Sequence, residues 1–195
     1  MAAKTPQVPD TPRSARERLL AAANELFYAE GINTVGIDRV IERAGVAKAS
    51  LYDTFGSKEE LIRAYLAERD AARRGRIEAA IAKHEGPRDK ILAVFDYLAN
   101  AMAQPGFKGC YMQRANAELK PASPGRTVCG EGRGWTLALF TRLAKEAGTR
   151  HPKKLGQQLV ILYDGALVSA AMDADPHAAA HAKAIAAAMI DADLD

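Results

Sequence analysis

Residues 31–61, GINTVGIDRVIERAGVAKASLYDTFGSKEEL, decide the fold of this chain. Ile37, Val40, Ile41 and Ala44 fall at i, i+3, i+4 and i+7, one apolar stripe on a short helix. Gly45 follows as the residue able to take the left-handed turn, and Val46 can fold back on Ile41. A second short helix is expected over about 47–54, with Leu51 and Phe55 pointing inward. At about 100° per residue, Ala49, Ser50, Tyr52 and Asp53 then point away from the core. Gly56 breaks the chain, and Ser57 with Glu60 reads as a capping box opening a long helix.

Working outward, strand signals are almost absent and helix signals are dense. Thr11 as cap with Pro12 at the first position starts a helix that stops at Gly31, with Leu19, Leu20, Ala23, Leu26 and Phe27 on its apolar face. The long helix after Ser57 runs to about His84. Further helices are expected over 87–103, 110–119, 128–147, 152–173 and 176–190, with a loop at 120–125. Gly130, Gly132 and Gly134 weaken the first half of the 128–147 helix by about 1 kcal/mol each. The fold class is therefore all-α, about nine helices: an N-terminal three-helix head over 11–56, after a loose disordered arm over 1–10, and a helical body over 57–195.

Composition bounds the function without naming it. The chain has 195 residues, 48% of them apolar, and a net charge of only +3, so placement of charge carries more than its sum. No apolar run approaches the roughly 18–20 residues that span a bilayer. The first ten residues lack the apolar core of a signal peptide, and two cysteines are too few for a disulfide framework, so a cytoplasmic protein is expected. No phosphate loop, nucleotide fingerprint or serine elbow is present, and no cofactor or metal is expected. His177 and His181 share a helix face near Asp173 and Asp175, but no further histidine or cysteine supports a metal site. An enzyme has no residue to stand on.

Two short helices joined through Ala44-Gly45-Val46 form a helix-turn-helix, a unit that offers one helix to a DNA groove. The same spacing also fits two packed helices of an ordinary bundle. Lys58 bears on the choice: it occupies the first turn of a helix, where the dipole disfavours a cation by roughly 0.3–1 kcal/mol. A lysine beside free helix amides suits a bound phosphate; a solvated lysine offset by Glu59 and Glu60 is the plainer alternative.

At these residues the chain resembles the TetR family of bacterial transcriptional regulators. GVAKASLYDTFGSKEEL is similar to the family pattern G-V-S-K-x-x-L-Y-x-H-F-x-S-K-E-x-L, matching at Gly45, Val46, Lys48, Leu51, Tyr52, Phe55, Ser57, Lys58, Glu59 and Leu61. The likeness is strong over residues 13–66 and weaker in the body, at FKGCYMQRANAEL and LYDGALVSAAMDADP. It implies that Lys48 and Lys58 hold phosphates, that Tyr52 contacts backbone or a base edge, and that Ala49, Ser50 and Asp53 line the major groove. Ala47 replaces the frequent serine cap, and Gly36 stands where many members place a hydroxyl, so a phosphate contact there is lost. Asp53 either faces DNA, accepting from a cytosine amino group or excluding wrong sites, or pairs with Arg39 or Arg43. Arg13 and Arg16 either touch DNA or are a solvated helix start.

The resemblance further implies a homodimer, closed by the last two helices, on a near-palindromic double-stranded DNA operator, with a small-molecule effector in the body. Leu159, Leu162, Ala166, Ala170, Ile185 and Met189 are the candidate dimer residues; in a monomer they would be core. Phe95, Met102, Cys110, Asn116, Trp135 and Tyr163 are the candidate pocket, and the same residues suit a plain core. A repressor that responds to its effector, through a shift of the long helix that changes the spacing of the two heads, is the main expectation. The alternatives are a redox-sensing regulator using Cys110 and Cys129, and a helical binding protein that contacts no DNA.

Overall fold

The computed structural model describes residues 14–194, and among them the chain forms nine helices and no strand. The expected arm and the residues Thr11, Pro12 and Arg13 lie outside the described residues. Helix α1 (Ala15–Glu30) begins later than Thr11 would place it. Its cap is Ser14, whose hydroxyl takes the Glu17 amide at 3.2 Å while Glu17 Oε2 accepts the Ser14 amide at 2.7 Å. This reciprocal box satisfies two otherwise orphaned amides.

Helix α2 (Ile37–Ala44) ends as its sequence demands. Gly45 adopts φ 62° and ψ 43°. Its amide reaches Glu42 O at 3.1 Å and that of Val46 reaches Ile41 O at 3.4 Å, the two bonds of a Schellman stop. Helix α3 (Lys48–Phe55) starts from Ala47 without a side-chain cap, and only Leu51 is fully buried in it. Helix α4 (Lys58–Ile81) is capped by Ser57 Oγ on the Glu60 amide at 3.1 Å. Glu60 does not complete the expected box; its carboxylate bonds Arg63 at 2.6 Å.

The body comprises α5 (Pro87–Met102), α6 (Tyr111–Glu118), α7 (Pro124–Glu146), α8 (Pro152–Met172) and α9 (Ala178–Leu194). Two boundaries differ from expectation. Helix α7 starts at Pro124, because Ser123 caps it and proline is tolerated in a first turn; the expected loop thus ends earlier. Helix α9 extends past Ile190, because its acids are tied down: Asp191 pairs with Arg88 at 2.7 Å and Asp193 takes the His151 amide at 2.9 Å.

Two apolar clusters organise the chain. One joins α1–α3 to the start of α4 through Leu19, Phe27, Val40, Leu51, Leu61 and Tyr65. The other fills the body around Phe95 and Phe140, stacked with centroids 5.8 Å apart. Helix α8 alters one expectation: with 21 residues and mean hydropathy 1.2, it is long and apolar enough to cross a membrane. In this fold it is a core helix, burying Leu155, Leu159, Val160, Tyr163, Ala166 and Leu167 within the chain.

Glycines in α7 and α8 divide by what surrounds them. A Cβ on Gly156 would meet the Thr141 backbone nitrogen at 3.0 Å and Cα at 3.1 Å, so α7 and α8 approach closely there. A Cβ on Gly134 would meet nothing within 4 Å. Gly134→Ala should therefore raise stability by about 1 kcal/mol, the helix-propensity gain. Gly156→Ala should lower it by about 1–3 kcal/mol through overpacking. Calorimetric unfolding of both variants reads the difference; shifts of the same sign would contradict this packing.

Candidate nucleic-acid interface and ligand cavity

Burial of Leu51 turns the rest of α3 outward. Lys48, Ala49 and Asp53 are exposed, Ser50 is partly so, and Tyr52 is 46% exposed, a large aromatic turned to solvent. Lys48 Nζ donates to Asp38 at 2.9 Å, a bond that braces α3 against α2. That bond, and then the charge of Asp38, raise the lysine's pKa. Asp53 pairs with neither arginine considered for it. Arg39 is held by Glu30 at 2.6 Å and Arg43 by Glu25 at 2.7 Å. Asp53 is left facing outward on the same surface as Tyr52.

Lys58, the first residue of α4, is half-exposed and makes no ion pair with a described residue. It stands beside the opening amides of α4, where partial positive charge gathers. Gly36 caps α2 in extended backbone, φ −72°, with no side chain to bond the helix start. Arg16 lies exposed on α1, its guanidinium 5.8 Å from the Phe55 ring centroid, at the far end of α3. Arg18 locks the turn itself by donating to Gly45 O at 3.0 Å.

The body encloses a cavity of about 980 Å³ that also reaches Tyr28 of α1. Of the six expected lining residues it brings together Cys110, Asn116 and Tyr163. Phe95 is instead fully buried in the body core, and Met102 packs against that core. Trp135 sits under two guanidinium groups, with Arg73 at 5.2 Å and Arg74 at 5.4 Å from its ring. These three are not in the wall.

What the sequence reading missed is a buried charge cluster on α4. Asp70 accepts from Arg73 at 2.8 Å and from Arg74 at 2.6 Å, and Tyr111 Oη reaches it at 3.4 Å. Arg73 also donates to Thr136 Oγ1 at 3.1 Å and to Gly132 O at 3.2 Å. Burial opposes the charge on Arg73, and the carboxylate of Asp70 at 2.8 Å favours it. The signal was present: Leu66, Asp70, Arg73 and Ile77 share one helical stripe, two charges interrupting an apolar face.

The cavity's far wall grips the head. Helix α1 carries no basic residue in its last turn, yet its last carbonyls are capped by residues from the body. Lys108 Nζ donates to Ala29 O at 2.8 Å and Arg114 Nη1 to Tyr28 O at 2.7 Å. Tyr28 Oη donates to Gly109 O at 3.2 Å and accepts the Lys108 amide at 2.9 Å. At the other end of α6, Glu118 accepts the Asn33 amide at 2.8 Å, and its carbonyl takes Asn33 Nδ2 at 3.0 Å. A Cβ on Gly31, whose φ is 96°, would lie 2.9 Å from the Glu118 carboxylate.

The cysteines are free thiols, Cys129 buried and Cys110 partly so. Burial pushes Cys129 up to about 11 and raises Cys110 as well, which keeps both protonated near neutral pH and makes them poor nucleophiles. Among the described residues there is no group of three metal-ligating side chains; His181 lies 3.7 Å from Asp175.

Comparison with known proteins agrees with this geometry. Residues 19–65 match the family described as bacterial regulatory proteins, tetR family. A TetR-family transcriptional regulator from Streptomyces coelicolor, SCO4454, superposes with a TM-score of 0.87 at 33% identity, covering 93% of this chain and 96% of that one. The transcriptional repressor NemR of Escherichia coli is 29% identical over 191 residues, 91% of this chain and 96% of its own. The crystal structure of its reduced form superposes with a TM-score of 0.79 at 27% identity, over 89% of this chain and 95% of that one. The transcriptional activator FasR of Mycolicibacterium smegmatis is 46% identical over 56 residues, 28% of this chain and 26% of its own. The chain belongs to the TetR family of bacterial transcriptional regulators, DNA-binding proteins with a helix-turn-helix head and a helical body.

Proposed function

We propose that the chain is a repressor that binds a near-palindromic operator as a homodimer and releases it when a small molecule enters the body cavity. The outward face of α3 beside Lys58, which pairs with no acid among the described residues, is the observation that carries this reading. Lys58 and Lys48 hold phosphates, with Lys48 exchanging Asp38 for the DNA backbone. Tyr52, Ser50 and Ala49 meet the groove, and Asp53 selects bases or repels wrong sites. Arg16 and the backbone at Gly36 flank this surface. The DNA-binding unit takes residues 11–56 and the effector and dimer body 57–195. By packing, the start of α4 belongs to the first. A cytoplasmic location follows from the role.

Dimerisation belongs to the outer faces of α8 and α9. Ile161 is 67% exposed, Val168 42%, Met172 80% and Ile185 51%, an apolar surface that a second copy would cover. Leu162, Ala170 and Met189 border it, half-buried; Leu159 and Ala166 point into the chain's own core. A two-fold axis there sets the heads about 34–36 Å apart, in successive major grooves. The effector acts through its differential affinity for two head positions. The caps from Lys108, Arg114 and Glu118 onto α1 and Asn33 offer a hydrogen-bonded route between cavity and head. The redox alternative is not favoured, because both thiols are held protonated. The other alternative, a helical protein that contacts no DNA, runs against the DNA-binding family to which the chain belongs.

Two measurements divide these readings. Lys58→Ala should weaken binding to specific and nonspecific DNA alike and flatten the salt slope by about 1. A changed base preference at constant affinity would remove its phosphate role. Ile161→Glu with Met172→Glu should give a monomer by sedimentation and lose operator affinity by about 100-fold, since two linked heads bind far more tightly than one. A monomeric wild-type protein would defeat the dimer.

A further inference from the structure

Five arginines line the cavity: Arg69, Arg73, Arg76, Arg126 and Arg133. Its wall holds one carboxylate, Asp164, and that acid is paired with Arg133. Asp70, behind the wall, is divided between Arg73 and Arg74. Arg69 is spent on Asn24 Oδ1 at 2.6 Å and on the Tyr28 ring, its guanidinium 4.1 Å from the centroid. Among the described residues neither Arg76 nor Arg126 pairs with an acid; Arg76 is exposed to solvent, whereas Arg126 is partly buried and donates to Leu119 O at 3.2 Å. Most of the remaining surface is apolar or aromatic, including Tyr97, Leu98, Phe107 and Leu167.

Resting on the effector reading above, we infer that the effector is an organic anion, a carboxylate on an aromatic or alkyl body, and that Arg126 reads its charge. A partly buried guanidinium bonded only to a carbonyl gains from an ionised partner, because charge-assisted bonds are roughly twice as strong as neutral ones. A cation would meet uncompensated positive charge in a medium less screening than water. The position of Arg126 also ties charge recognition to the head. Its present acceptor, Leu119 O, is the residue after Glu118, which holds Asn33. A carboxylate that draws Arg126 into the cavity takes away the bond that steadies this end of α6, and with it the grip on the α1–α2 junction. The cavity thus detects an anion at one end of the latch that positions α2 and α3.

The test compares matched probes on the full-length protein by isothermal titration calorimetry. The probes are benzoate, 2-naphthoate and decanoate, their three carboxamides, and (2-naphthylmethyl)trimethylammonium. The expected result is at least one acid binding about tenfold or more tightly than its amide, no binding of the cation, and weaker acid binding at high salt. Arg126→Gln should bring the acid-to-amide ratio near one, and Arg126→Lys should keep most of it. The inference is overturned if an amide or the cation binds as tightly as the acids, if no acid binds at 1 mM, or if the ratio survives Arg126→Gln. Should that variant not fold, the wild-type acid, amide and cation comparison decides alone. DNA release by the same probes is read separately. An amide that empties the operator would leave the effector reading standing and end the anion claim, whereas a protein that binds no operator ends the regulator reading whatever the ratio.

Discussion

The carboxylate of Asp70 is the constraint on which the rest of the structure turns. It sits in the middle of α4, out of water, where Arg73 and Arg74 close on it and Tyr111 approaches it. Removing one partner from such a cluster leaves an unpaired buried charge, which costs about 3–5 kcal/mol. Arg73 must in turn find further acceptors, and it takes the Gly132 carbonyl and the Thr136 hydroxyl of α7. A Cβ at position 132 would come within 3.0 Å of Asp70 itself, so the glycine is where α7 is allowed to approach. One ion cluster thus sets the spacing of α4, α6 and α7 and the floor of the cavity between them.

From that floor the chain reaches the head by two routes. The first is α4 itself, whose early residues Leu61, Ile62 and Tyr65 complete the head's core. The second is α6 with the segment before it, which supplies the basic caps that α1 lacks. A rigid connection and a hydrogen-bonded one meet on the same small domain. In the proposed response, a change in the cavity that alters α6 without altering α4 rotates or loosens the head between them. The two connections differ physically: polar contacts can exchange partners, whereas the packed face of α4 cannot do so without opening a void.

The head was legible in the sequence because its signals are local. Gly45 needs left-handed backbone, Leu51 and Phe55 share a face, and Ser57 caps α4; each can be read within a few residues. The body was legible only as helices. Helix α8 is apolar on both faces, so periodicity could not say that Leu159 and Ala166 turn inward while Ile161 and Met172 turn outward. Aromatic residues were natural suggestions for a pocket, yet Phe95 has its own stacking partner in Phe140 and Trp135 serves two arginines. The charges on the α4 stripe were the better indicator, because a buried ion needs partners from several elements at once. Ends of helices depended on tertiary bonds as well: α9 runs on to Leu194 where Arg88 and His151 hold its acids.

The central claim is that two copies of this head, presented by one two-fold body, read duplex DNA together. Hydroxyl-radical footprinting of the purified protein on the DNA upstream of its own gene tests it most directly. The account predicts two protected patches on the same face of the duplex, centred about 10–10.5 base pairs apart. A single protected patch, or uniform cleavage across the whole fragment at saturating protein, would contradict it.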